Sequence, residues 1–142
     1  MTEKVSKEAA KSRSGHEKFG TLPEWDLSDL YAGPQSEEFK NDLERAKQDA
    51  AGFESDFKGK LAEMAGAGTL IEAIRRYEEL SDLSGRMGSF AYLNYVLDTS
   101  DPARGKFMGD CQQALTDLSS KLIFFSLELN RIEDKIMEAA LE

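Results

Sequence analysis

The chain has 142 residues, 40% of them hydrophobic and 32% charged, with a formal net charge of -9 at pH 7. That is enough for one domain around a single modest core, and too apolar for a chain disordered throughout. The acidic balance excludes nucleic acid and anionic membrane as expected partners, because phosphate binding needs clustered Lys and Arg.

No run approaches the ~18 apolar residues of a membrane span. Lys4, Lys7 and Lys11 are followed by no apolar stretch, so no signal peptide is expected. Cys111 is the sole cysteine, which rules out a disulfide within the chain and fits a reducing compartment. A cytoplasmic location is the expectation.

Residues 1–19 contain two large apolar residues, Val5 and Phe19, and sustain no period, so they are expected to form a mobile tail. A basic arm docking on an acidic partner is the functional alternative for them. The next stretch, "GTLPEWDLSDLYAGP" at residues 20–34, concentrates Trp25, Leu27, Leu30 and Tyr31 between Pro23 and Gly33-Pro34. Pro23 biases Leu22 toward extended backbone, and Asp26 or Ser28 can cap a short turn that Gly33-Pro34 ends. So short a turn cannot bury four large side chains on itself. It reads as an extended strap laid over something else, with Trp25 as its anchor.

Long helical patterns follow. From an N-cap at Ser36, apolar residues recur at Phe39, Leu43, Ala46, Ala50, Phe53, Phe57, Leu61 and Met64, which predicts one helix ending at Gly66-Ala67-Gly68. Thr69 and Glu72 have the spacing of a capping box. The second stripe runs through Leu70, Ile74, Tyr77, Leu80 or Ser81, Ser84, Gly88, Ala91 and Tyr95. Asp101 and Pro102 open a third helix as N-cap and first residue, with a stripe of Phe107, Cys111, Ala114, Leu118, Leu122, Phe125 and Leu129. A fourth, short pattern near Glu133 uses Ile132, Ile136 and Ala140. Helices of roughly 28 residues are about 42 Å long, and a compact chain of this size is about 37 Å across. The expected fold is therefore all-α: an elongated lobe of three long antiparallel helices plus a short fourth, preceded by the strap and the tail.

Two features predict incompleteness. The last pattern carries no glycine, proline or cap behind it, and Ile123 and Phe124 lie beside the main stripe of the third helix, where two sister helices leave them uncovered. A dimer covering that second face is the alternative.

Catalytic chemistry finds little to stand on. His16, in the tail, is the only histidine, and a catalytic zinc needs three protein ligands. Cys111 falls on a core stripe. Gly66-Ala67-Gly68 has Ile71 where a dinucleotide loop needs its third glycine, and Gly105-Lys106 has Ser100 and Phe107 where a phosphate loop needs Gly and Ser or Thr. Glu78-Glu79 reads as a solvated face and Asp101 as a cap. Ser81, Gly85 and Ser89, with Ser84 and Gly88 beside them, predict a tight helix crossing, or a swivel. Phe90, Tyr92 and Tyr95 are candidates for lining a small-ligand groove, although three aromatics cannot share one helix face.

"LPEWDLSDLY" at residues 22–31 resembles the N-terminal signature of oligoendopeptidase F and its relatives in the M3 family of zinc metallopeptidases. The resemblance continues in order through "LIEAIRRYEELSDLSGRMGSFAYLNYVLDTSDPARGKF" at 70–107 and "LIFFSLELNRI" at 122–132, and so covers residues 22–142. It implies an all-helical peptidase whose lobes enclose a channel and whose zinc, held by His-Glu-x-x-His and a later carboxylate, hydrolyses short peptides. None of that motif is present, so no catalytic or metal residue carries over to this chain, and the resemblance assigns its substrate-binding residues to no position. Residues 20–142 would be the N-terminal lobe, truncated before the catalytic domain of the same protein, with the Trp25 strap joining lobe to body. The competing expectations are a free-standing helical interaction module and a ligand-binding bundle.

Overall fold

The computed structural model describes residues 23–141, all-α with no strand among them. The tail expected over 1–19 lies outside the described residues, as does the start of the strap. The helices are α1 (Glu37–Phe57), α2 (Leu61–Gly66), α3 (Leu70–Leu97), α4 (Pro102–Leu129) and α5 (Asp134–Leu141).

Two of the expected caps form. Ser36 accepts from the backbone N–H of Phe39 at 3.3 Å, and Asp101 accepts from that of Ala103 at 2.8 Å ahead of Pro102. Thr69 does not complete a capping box. It stands at the N-cap of α3 and its carbonyl accepts from the Glu72 N–H at 3.2 Å, but its hydroxyl donates back to the Met64 carbonyl at 3.4 Å and caps nothing in the new helix.

The single helix expected from Ser36 to Gly66 is two. α1 stops at Phe57, the chain turns through Lys58-Gly59-Lys60, and α2 begins at Leu61. Gly59 sits at φ 80°, a left-handed conformation that side-chain-bearing residues adopt at a cost. Its N–H donates to Glu128 Oε1 of α4 at 2.7 Å. Phe57 and Leu61 are both buried, so the break keeps the stripe on the core while changing direction.

α1, α3 and α4 pack on one another, and α5 lies against α2 and α3. Two aromatic clusters mark the ends of this core. At one end Tyr31, Phe39, Phe90 and Phe107 meet, with Tyr31–Phe39 centroids 5.1 Å apart and Phe39–Phe107 centroids 5.0 Å apart. At the other, Phe53 of α1 lies 4.9 Å from Phe57 and 5.4 Å from Phe125, and Phe125 stacks on Tyr77 at 4.4 Å. Between them Ala46, Ala50 and Ala73 are fully buried, letting the helices approach closely.

On α3 the expected positions Leu70, Leu80 and Ala91 are buried, but Ala73, Met87 and Phe90 are buried beside them, while Ser84 and Gly88 of the expected stripe are only half-buried. Ser81, Gly85 and Ser89 face solvent, and a Cβ on Gly85 would meet nothing within 4 Å, so that row makes no helix crossing. The close approach is at Gly88, where a Cβ would come within 3.1 Å of Leu115 Cδ1. Phe124, expected to lie uncovered, is buried against Phe53 at 5.6 Å, whereas Ile123 beside it is 62% exposed.

Candidate functional site

The strap holds on through tyrosine, not tryptophan. Asp26 caps the turn by accepting from the Ser28 N–H at 2.9 Å, and the Leu30 and Tyr31 N–H groups both bond the Leu27 carbonyl. This turn drives the Tyr31 ring between Phe39 and Phe90, leaving it 1% exposed, while Leu27 and Leu30 pack at the core edge. Trp25, two residues before the turn, is 66% exposed. The expected anchor is thus displaced by six residues, because the turn aims Tyr31 inward and Trp25 lies on the extended backbone before it.

A polar clasp surrounds Tyr31. Its hydroxyl donates to Asp42 Oδ2 at 2.8 Å, and Arg86 of α3 lays its guanidinium over the ring at 4.4 Å. Arg86 also donates to the Leu30 carbonyl, to Glu38 Oε1 at 2.8 Å and to Asp42 Oδ2 at 3.5 Å. Arg45 holds the other oxygen of Asp42 at 3.0 Å. One arginine therefore joins strap, α1 and α3. Burial and the hydrogen bond to Asp42 raise the Tyr31 phenol well above its ordinary value, and the bond to Glu38 raises Arg86 further. Asp42 has Tyr31, Arg86 and Arg45 as partners, so its charge and both its oxygens are engaged in holding the strap and helices together.

Asp42 and Arg86 escaped the reading of the sequence, although a signal exists. Asp42 lies three residues after Phe39 and four before Ala46, in register with the apolar stripe, and a carboxylate at such a position demands partners.

The other candidate residues separate. Phe90 is core, Tyr92 is exposed and Tyr95 is half-buried, so the three aromatics line no common groove. Cys111 is buried, its thiol faces the Met87 carbonyl at 3.8 Å, and burial raises its pKa. Glu78 and Glu79 are exposed on α3. His16 lies outside the described residues. Among those described, no group of three His, Cys, Asp or Glu side chains comes together. The resemblance's zinc does not fit the donors present: there is no described histidine, and the one thiol is enclosed by apolar side chains.

An open groove about 500 Å³ in volume runs between α3 and α4, lined by Ser81, Ser84, Leu115, Leu122, Ile123 and Ser126 among others. Ile123 and Leu127, one helical turn apart on α4, are 62% and 52% exposed. No described helix is long and apolar enough to cross a membrane. Comparison of the chain with known family models, with curated proteins and with solved structures returns no match in any of the three.

Proposed function

We propose that this chain is the non-catalytic N-terminal lobe of a zinc-dependent oligoendopeptidase of the M3 type, acting in the cytoplasm on short peptides. In this reading the antiparallel α1, α3 and α4 form an elongated wall that narrows the approach to a substrate channel and excludes folded proteins. The zinc and the residues that polarise the peptide bond belong to the catalytic domain of the same protein, and this chain supplies no ligand to them. Its contribution is steric and positional.

The observation that carries the reading is the division of labour within the signature segment. Leu27, Leu30 and Tyr31 fasten the strap to the lobe, while Trp25 presents a large apolar ring outward. A ring so exposed beside a firmly clasped turn suits a segment that also meets a second body. The test is the reading frame beyond codon 142. An open frame that reaches His-Glu-x-x-His within a helical sequence is expected. A stop codon there, together with a stable dimer in solution, would favour the free-standing interaction module, for which Ile123 and Leu127 supply an exposed apolar pair.

A further inference from the structure

An open groove of about 520 Å³ runs between α1 and α3. Its α3 wall extends from Arg76 to Arg86, about 15 Å at the helical rise, with Leu80 buried and Leu83 half-buried along it. The arginines that line it are committed to other partners. Arg86 pairs with Glu38 at 2.8 Å, Arg45 with Asp42 at 3.0 Å and Arg76 with Asp56 at 2.7 Å. Asp49 of α1 and Glu79 and Asp82 of α3 line the same groove and are exposed. None of these three pairs with a described Lys or Arg. The groove and the acids bound to its arginines thus set three guanidiniums against six carboxylates. The face between the two helices is left with an excess of negative charge.

The chain carries the complement to this face. Residues 1–22, outside the described residues, hold five Lys and Arg against three Glu, a net charge of +2, while residues 23–142 carry -11. This basic segment is tethered beside the groove, because Arg86 in the groove wall also donates to the Leu30 carbonyl of the strap. Lys18 precedes Leu30 by 12 residues, which span up to about 40 Å when extended. That exceeds the length of the α3 wall more than twofold. A tethered segment also meets the groove at an effective concentration that a free cation lacks. Lysine suits such a face, since its methylene stem can lie along Leu83 while its ammonium group reaches the carboxylates at the rim. We propose that residues 1–22 dock in the α1–α3 groove of their own chain, setting Lys11, Arg13 and Lys18 against Asp49, Glu79 and Asp82. This docking uses no residue beyond 142 and holds with or without a peptidase body.

The test is zero-length carbodiimide cross-linking of the full 142-residue chain, which joins a lysine to a carboxylate only where the two touch, read by peptide mass spectrometry. At about 0.01 M salt, where charges act over about 30 Å, the lysines of residues 1–22 should link within one chain chiefly to Asp49, Glu79 and Asp82. Those links should be lost at about 1 M salt, where that range shrinks to about 3 Å. By NMR, the amide shifts of residues 4–18 in the full chain should differ from those of a synthetic peptide of residues 1–22. The triple variant Asp49→Asn, Glu79→Gln, Asp82→Asn should bring the two sets together, and its three sites are exposed and outside the core. Three results would overturn the proposal. They are links spread evenly over exposed carboxylates such as Glu63 and Glu133, links formed only between two chains, and amide shifts in the unaltered chain equal to those of the peptide. Should the triple variant fail to fold, cross-linking of the unaltered chain decides alone.

Discussion

Tyr31 is where chemistry and packing meet most closely in this chain. Its ring fills the space between Phe39 and Phe90, and its hydroxyl satisfies Asp42. Tyr31→Phe keeps the ring and removes that hydrogen bond, so at neutral pH it should cost about 1 kcal/mol. The pH dependence has a definite sign. The folded phenol titrates above the unfolded one, so its neutral form is favoured in the native state and stability falls once pH passes the unfolded value near about 10. The wild type should then lose its advantage over Tyr31→Phe by about 1.4 kcal/mol per pH unit, as read from denaturant midpoints. A constant gap up to about pH 11 would show that the hydroxyl is not enclosed as described. Trp25 should behave oppositely. Being mostly exposed, it should emit at long wavelength and be quenched freely by iodide, and Trp25→Ala should change the lobe's own stability by no more than about 0.5 kcal/mol. Blue-shifted, protected emission would place Trp25 in a groove after all. Phe124 and Ile123 form a similar pair: Phe124→Ser should cost about 3–5 kcal/mol and Ile123→Ser within about 0.5 kcal/mol.

The elements were legible where local chemistry decides and illegible where a neighbour decides. The α1 and α4 caps at Ser36 and Asp101 depend only on nearby residues, and both were readable. The break at Gly59 was not. An unbroken apolar period runs across it, and the turn is held by a bond from its N–H to Glu128, 69 positions away in the chain. The burial of Met87 and Phe90 in preference to Ser84 and Gly88 has the same origin, since which side of α3 faces inward there is settled by the packing of α1 and α4. The clasp is intermediate: Asp42 stands in the core register, but nothing local names Arg86 as its partner. Glycine substitutions separate these effects. Gly85→Ala faces open space within a helix and should stabilise by about 0.5–1 kcal/mol. Gly88→Ala offers the same backbone gain but pushes on Leu115, so its benefit in thermal unfolding should be smaller. A larger gain at Gly88 than at Gly85 would contradict the close approach there.

At the scale of the whole molecule, the described residues form a helical fold to which Tyr31 fastens the strap, with Trp25 66% exposed on its outer side. Stability and spectroscopy test the helical fold, and the proposed function is tested on the native gene product. The decisive measurement is immunoprecipitation of that product from its source cells with antibody raised against residues 23–141, followed by cleavage of a quenched-fluorescent short peptide with and without a zinc chelator. The account predicts a polypeptide well above the 15.8 kDa of this chain, carrying peptidase activity that the chelator abolishes. A product of about 15.8 kDa with no accompanying peptidase would contradict it.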